Sequence, residues 1–422
     1  MMLTKKPVKG MKDILPKEME IRDYCIQVIK ETYRQFGFTS IETPSVEAIG
    51  NLSSKQGGEN EKLLFKILKR GEKLQLGPDV SPQDLVDSGL RYDLTVPLVR
   101  FYANNAAQLP APFKALQMGN VWRAEQPQKG RFRQFMQCDI DIFGEASNLA
   151  EIELIQATTT TLGKLGFRAF QIRINDRRLL KEMAAFCSFE ETEFDRIFVI
   201  IDKADKIGWE RVEAELIESG FEPTSVRKYI DLFDQMQASS SNADALLALE
   251  RILGTERVAG FLPELKEIID CVTQTKAAEF EIVFDPTLVR GMSYYTGPIF
   301  EVSMPQFGGS CGGGGRYDHM VERFIGKDIP ACGFSIGFER IVMLLQEQGF
   351  QIPNQARKCV YLIEKGIHGE ALCEILRTAA KEREQGIAVR VERMNKNRKF
   401  QKECLSLEGY QEFKDFYRNE AQ

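Results

Sequence analysis

VWRAEQPQKGRFRQFMQCDIDIFGE, residues 121–145, holds two apolar-leaning runs joined by a polar loop of Gln, Pro, Lys, Gly and Arg. The second run alternates strictly. Phe132, Gln134, Met136, Cys138, Ile140 and Ile142 fall on one side, and Arg133, Phe135, Gln137, Asp139, Asp141 and Phe143 on the other. A period of two predicts a strand, because successive side chains leave opposite faces of a sheet. One face is mainly apolar and can be buried. The other carries aromatic rings, an amide and two carboxylates, which a solvated exterior would not require. Such a hairpin can grip a charged, planar, nitrogen-rich ligand, with loop cations available for phosphate.

The stretch resembles the second signature motif of class II aminoacyl-tRNA synthetases, in the form found in histidyl-tRNA synthetases. Other segments resemble the same family in order along the chain. KGMKDILP (9–16) is similar to its N-terminal segment and RYDLTVPLVR (91–100) to its amino-acid-binding strand. LVRGMSYYTGPIFE (288–301) and GGGGRYD (312–318) are similar to its histidine-specific motifs, and ACGFSIGFERIVMLL (331–345) to the third class II motif. A single Gly-rich piece would be a weak signal; the ordered set is specific.

The resemblance implies an α+β fold, a class II antiparallel sheet flanked by helices, with a helical insertion and a small C-terminal α/β domain. It implies a histidine–tRNA ligase that makes histidyl-adenylate from histidine and ATP, then transfers histidine to the 3′ end of tRNA(His). Arg123 matches the motif 2 arginine for the α-phosphate and the amino-acid carboxylate, and Arg290 the histidine-motif arginine beside that phosphate. Together they are the expected catalytic pair. ATP contacts are expected from Arg123, Glu125, Phe135 and Arg340, with Phe135 suited to stacking on adenine. Asp93, Thr95 and Gln137 match positions that hold the α-amino end of histidine, and Asp141 the acid that takes an imidazole N–H. Tyr294, Tyr295 and Tyr317 match tyrosines lining the pocket. Taken alone, adjacent tyrosines would be read as core aromatics and Arg340 as a helix-surface cation; the surrounding strings decide otherwise. In GGGGRYD the glycines let backbone approach the amino acid, while Arg316 and Asp318 shape the loop. Mg²⁺ is expected with ATP, no dedicated protein metal site is expected, and a homodimer follows from the resemblance only.

Both reaction steps depend on positioning and on cations aimed at developing negative charge rather than on a protein nucleophile. Composition agrees. The chain has only two histidines, so a Ser/His/Asp or Cys/His hydrolase is disfavoured, and its nine cysteines are scattered without a CxxC pair. Clustered zinc ligands are not visible, and free thiols in a reducing compartment are the simpler reading. No apolar run is long enough to span a bilayer, and the N-terminus lacks a secretory core, so a cytoplasmic location is expected. The net charge of −5 excludes a protein that coats nucleic acid. A tRNA would have to be held by local patches. Candidates are Lys129, Arg131 and Arg133 in the hairpin, and Arg390, Lys396, Arg398, Lys399 and Lys402 near the C-terminus.

At 422 residues the chain should hold two or three domains. Residues 1–175 read as the first part of a catalytic domain, with a helix over 19–37 stopped by Gly37 and a strand region broken by Pro44. Residues 176–279 are dominated by charged helical patterns and read as an insertion. The motifs resume in 280–350. Residues 357–422 read as strand, helix, strand, an anticodon-binding-like α/β domain shorter than the family's usual one.

Gln126 stands where the family commonly has arginine, and Ser293 where it commonly has aspartate. A competing reading is a non-catalytic histidine sensor, like the synthetase-like regulatory subunit of ATP phosphoribosyltransferase; the short C-terminus favours it, and retention of Arg123, Arg290, Arg340 and the QPQKGR loop opposes it. A third reading is a synthetase competent in adenylation but poor at tRNA charging.

Overall fold

The computed structural model describes residues 3–53, 63–81, 83–128, 130–237, 241–289 and 294–418. Arg290, Ser293 and Lys129 therefore lie outside the described residues. The chain divides into two compact units, residues 1–12 with 27–344 and residues 13–26 with 345–422.

Among the described residues, eleven strands belong to the first unit: β1 (Thr39–Ile41), β2 (Val46–Ala48), β3 (Lys66–Leu68), β4 (Val86–Leu90), β5 (Phe113–Trp122), β6 (Gln134–Phe143), β7 (Phe170–Asp176), β8 (Phe280–Phe284), β9 (Pro298–Met304), β10 (Gly309–Arg316) and β11 (Ala331–Ile336). Eight of them form one sheet in the order β1-β5-β6-β11-β10-β9-β7-β8, and β2, β4 and β3 form a small separate one. Within the large sheet the pairs from β5 to β7 are antiparallel; only the edge pairs β1/β5 and β7/β8 are parallel. The fold is thus an antiparallel sheet flanked by helices, as the motif order implied.

The period-two pattern of β6 sorts the sheet's two faces. Cys138, Ile140 and Ile142 are buried on one face. There the helix Leu149–Lys164 lies across the sheet and its buried Glu151 takes a two-pronged hydrogen bond from Arg316, Nε at 2.6 Å and Nη2 at 2.7 Å. Arg316 also donates to the carbonyls of Glu145 and Ser147, so this buried cation is saturated and fastens helix to sheet. The opposite face carries Gln137, Asp139 and Asp141 of β6. Their cross-strand neighbours are Gly119, Gln117 and Ala115 on β5, and on β11 Ser335 faces Asp139 and Gly333 faces Asp141.

Between β7 and β8 the described elements are helices, from Arg177–Phe186 to Leu262–Thr275. Their apolar faces interlock: Trp209 stacks on Phe233 at 4.8 Å, and Tyr229 meets Phe233 edge-on at 5.0 Å. Asp176, at the end of β7, caps the first of them by accepting from Arg178 N.

In the second unit β12 (Lys358–Ile363) lies between β13 (Ala388–Arg393) and β14 (Glu412–Phe416), all parallel. Alternate β12 residues serve two cores. Cys359, Tyr361 and Ile363 pack with Ile375 and Ala379 of the helix Gly369–Glu384, and Val360 and Leu362 with Leu405 of the helix Arg398–Leu407. Parallel strands need such crossover helices, and a strand buried on both faces reads as the continuous apolar run CVYLI.

Two boundaries differ from the sequence reading. The first helix runs Pro16–Gln35, and Gly37 (φ 80°) follows its end. RYDLTVPLVR is a strand exit and a helix rather than a strand: β4 ends at Leu90, and Thr95–Asn105 is helical. Asp93 explains the switch. Its Oδ1 accepts the Val96 N–H at 3.1 Å, satisfying a first-turn amide that no helical carbonyl can reach. No helix among the described residues is long and apolar enough to cross a membrane.

Candidate active site

Glycines make the open face of the sheet a low floor. A Cβ on Gly333 would lie 2.0 Å from Asp141 Oδ1, and one on Gly315 would lie 2.9 Å from the Tyr295 ring. On β5, a Cβ on Gly119 would meet the Arg91 guanidinium at 2.3 Å. These positions are glycine because the side chains of Asp141, Tyr295 and Arg91 occupy the space above them.

Arg123 follows the last residue of β5 and donates from Nε to the Tyr92 carbonyl at 2.9 Å. Its guanidinium lies 5.2 Å from the Phe135 ring centroid and 3.9 Å from the Glu125 carboxylate. Glu125 also faces Arg131 at 3.8 Å. Arg340, in the first turn of the helix Phe338–Glu347, donates to the Ser310 carbonyl and stacks 5.2 Å from the Phe307 ring. Gly130, in the hairpin loop (φ 70°), sits on this group: its Cβ would be 3.4 Å from Phe307 and 3.5 Å from Arg340. Glu339 accepts the Met136 N–H at 3.1 Å, tying this helix to the start of β6. Arg123, Glu125, Phe135 and Arg340 thus all belong to the hairpin or to elements touching it.

The acidic end is buried. Asp93, Asp139 and Asp141 are 2%, 3% and 3% exposed, and each has one carboxyl oxygen without a partner among the described residues. Burial raises Asp93 to about 6, against the lowering effects of the Val96 amide and Arg123. Burial likewise raises Asp141 to about 7; the Tyr317 hydroxyl, which donates to its Oδ1, works against that shift and the charge of Asp93 adds to it. Asp139 is pushed well above the ordinary carboxylate range by burial first and the charge of Asp141 second. The largest cause of each shift is the same: a carboxylate without water or a full set of donors is costly.

Gln137 donates to Ser335 Oγ at 3.3 Å and leaves its own amide oxygen unpartnered; Gln117 donates to the Leu94 carbonyl at 3.3 Å and does the same. Tyrosines close the same end. Tyr294 lies 4.9 Å from Tyr295 and meets Tyr317 edge-on at 6.0 Å, and Phe143 meets Tyr317 edge-on at 6.2 Å. Thr95 hydrogen-bonds the Tyr294 hydroxyl, whose ionisation burial holds well above its usual range.

The structure therefore gathers Asp93, Thr95, Gln137, Asp141, Tyr294, Tyr295 and Tyr317 at one end of the floor and Arg123, Glu125, Phe135 and Arg340 at the hairpin end. Arg290 is outside the described residues. Arg316 and Asp318 turn away from the open face: Arg316 holds Glu151, and Asp318 accepts the Ala331 N–H at 2.9 Å. Sequence reasoning assigned no role to Asp139, Gln117, Phe307 or Glu339. For Asp139 a signal existed, since the alternation already put it beside Gln137 and Asp141. For the others none did, because their place depends on strand pairing. Among the described residues one trio has metal-ligand spacing, His319, Glu322 and Asp328, and all three are exposed.

The arrangement can bind an amino acid and a nucleotide side by side. Comparisons with known proteins agree. The model of the histidyl-tRNA synthetase family matches residues 10–85 and 87–341. A histidine–tRNA ligase of Leifsonia xyli is 45% identical over 360 residues, 81% of this chain and 80% of that protein. A probable histidine–tRNA ligase of Tropheryma whipplei is 41% identical over 414 residues, 96% of this chain and 94% of that protein. Of solved structures, histidyl-tRNA synthetase from Nostoc superposes with a TM-score of 0.77 at 28% identity, covering 97% of this chain and 90% of that one. A Bacillus halodurans structure described as an ATP phosphoribosyltransferase regulatory subunit/histidyl-tRNA synthetase superposes at 0.79, covering 99% of each chain; at 21% identity it speaks to the fold alone.

Proposed function

The chain belongs to the histidyl-tRNA synthetase family, and from that premise we propose how its residues divide the work of histidine–tRNA ligation. The reaction joins histidine to ATP as histidyl-adenylate, releasing pyrophosphate, and then passes histidine to the 3′ end of its tRNA, releasing AMP.

Arg123 stands at the hairpin end of the floor, against Phe135 and Glu125. We assign it to the α-phosphate and the substrate carboxylate, with Arg290 as its partner on the phosphate. Held by the Tyr92 carbonyl, Arg123 is oriented before substrate arrives, so it need not reorganise as charge builds on the pentacoordinate phosphorus. Adenine stacks on Phe135 and against Arg340, and Glu125 receives the nucleotide at the loop. Mg²⁺ enters with the phosphates of ATP as part of that substrate.

Asp93, Thr95 and Gln137 receive the α-amino end. Asp141 takes an imidazole N–H on the oxygen that Tyr317 leaves open. A charged hydrogen bond of this kind contributes about 1.5–3 kcal/mol. A ligand without a ring N–H leaves that buried oxygen unpaired, and such sites reject the wrong ligand by factors of about 10⁴–10⁵. We also assign the chain a homodimeric state, a cytoplasmic location and tRNA(His) as its tRNA, following the family. Residues 176–279 act as an insertion within the catalytic domain of 1–175 and 280–350, and 357–422 as the anticodon-binding-like domain.

The observation that carries this reading is the convergence of Asp93, Gln137, Asp141 and Arg123 on one glycine-floored face. Histidine-dependent exchange of pyrophosphate into ATP tests it: exchange is expected with histidine far above that with other amino acids, and equal rates for all would refute it. Absence of exchange together with co-purification of a phosphoribosyltransferase would favour the sensor reading. Tyrosine-walled specificity and tRNA charging separate when exchange and charging are measured on one preparation.

A further inference from the structure

Asp139 is the one buried carboxyl of the floor to which the family's motifs give no task. It lies between Gln137 and Asp141 on the same face of β6, directly opposite Gln117 on one side and Ser335 on the other. Its Oδ2 has a long contact from Gln137 Nε2 at 3.5 Å, the Ser335 hydroxyl also bonds this carboxyl, and its Oδ1 has no partner among the described residues. We propose that Asp139 is a further amino-acid-binding residue, a second carboxyl beside Asp93 that receives the α-ammonium of the substrate. This inference rests on the function proposed above and adds a residue to that site.

The unpartnered atoms at this end are Asp93 Oδ2, Asp139 Oδ1, Gln117 Oε1 and Gln137 Oε1, and all four are acceptors. The Gln117 amide cannot turn to repair this without losing its bond to the Leu94 carbonyl, and the Gln137 amide as placed directs its N–H groups at Ser335 Oγ and Asp139. Among the described residues, what the cluster lacks is donors. An ammonium brings three N–H groups and no acceptor, whereas a carboxylate or a neutral apolar group would leave the cluster unsatisfied.

Position along the strand separates this task from recognition of the ring. Asp139 is two residues from Asp141, about 6.5–7 Å along an extended strand. Asp141 faces Tyr317, while Arg123 acts electrostatically on both Asp93 and Asp139. Asp139 therefore belongs to the head-group end. A substrate carboxylate at Arg123 would offset the positive charge that lowers Asp93 and Asp139, and a cation on the same substrate would restore it beside them. An α-amino acid supplies that cation on the carbon next to the carboxylate.

The test uses the full chain and ligands that divide the substrate. Histidinol has the ammonium and the ring; 3-(imidazol-4-yl)propionate has the carboxylate and the ring without the ammonium. Asp139→Asn keeps the shape and puts a donor or a weaker acceptor where the ammonium needs a carboxyl. It is expected to weaken histidinol inhibition and raise the KM for histidine at least about tenfold, to leave the propionate analogue within about twofold, and to leave the KM for ATP unchanged. Asp139→Ser should give the same pattern, so one poorly folding variant does not decide the matter. Equal weakening of both analogues would mean Asp139 only supports the sheet, and no change in either would mean it does not touch the substrate; both overturn the inference. Wild-type protein that fails to exchange pyrophosphate with histidine would instead overturn the functional reading itself.

Discussion

The open face of the β5–β6–β11–β10 floor and the surface of the second unit treat charge in opposite ways. On the floor, Asp93, Asp139 and Asp141 are buried with oxygens unpartnered. In the second unit, cations are matched at the surface: Arg357 with Glu412, Arg390 with Glu392 and Glu408, Lys402 with Asp415, and Lys414 with Glu382. A folded chain gains nothing by burying unpaired carboxyls, so the floor is arranged for a ligand that supplies the missing donors. The paired surface charges need no ligand, and each such pair contributes little to stability. The comparison also bears on tRNA. Of the C-terminal cations singled out in the sequence, Arg390 and Lys402 already hold carboxylates, so phosphate would have to displace those partners.

The sharpest way to break this contrast is at Arg123. Arg123→Gln should lower kcat for pyrophosphate exchange by about 10²–10³, the usual effect of removing one preorganised donor to a transition state, with the melting temperature nearly unchanged. A loss below about tenfold would show that the floor does not depend on this cation. Asp141→Asn comes next. The KM for histidine should rise about 10–100-fold while that for ATP stays within twofold, since one charged hydrogen bond at about 1.5–3 kcal/mol is lost. A parallel fall in ATP binding would remove Asp141 from ring recognition.

Glu151→Gln tests the other face of the same sheet. It strips the main countercharge from buried Arg316, leaving Asp318 at 3.4 Å, and should destabilise the fold by about 3 kcal/mol, read as a lowered denaturation midpoint, with histidine specificity retained in the protein that remains folded. That result would separate a saturated buried pair from the unsaturated acids above it. A pH effect sharpens the same distinction. The folded-state value of Asp141, about 7, lies above its unfolded value, so the unfolded chain binds fewer protons through this group. Its contribution to stability is present below the ordinary carboxylate range and is lost as pH rises toward about 7. Asp141→Asn should flatten that part of the stability–pH profile of the ligand-free protein; an unchanged slope would place the titration elsewhere. The smallest effect belongs to the second unit: Arg390→Gln should shift stability by no more than about 1 kcal/mol and leave exchange unaffected.

Much of this was legible in residue order. Strict alternation through 132–143 identified β6 and put Gln137, Asp139 and Asp141 on one face, and residues 357–422 already read as strand, helix, strand. The segment 91–100 was harder. Its apolar residues suit either a strand or a helix, and what decides for the helix is the bond from the Val96 amide to Asp93 at its start. Gln117 was invisible for another reason: on β5 it is an unremarkable amide until pairing sets it opposite Asp139.

Side-chain chemistry and periodicity are local properties, so the sequence by itself determined the family motifs, the strands and helices that carry them, and which residue types could meet an ammonium, a ring nitrogen or a phosphate. Which of those residues lack partners is not local. It depends on the register among β5, β6 and β11, on glycines at 119, 315 and 333 that leave room above the sheet, and on a tyrosine arriving from beyond β10 to meet Asp141. Only the tertiary structure could decide that Arg316 is satisfied while Asp139 is left open, because satisfaction is a relation between atoms brought together by folding.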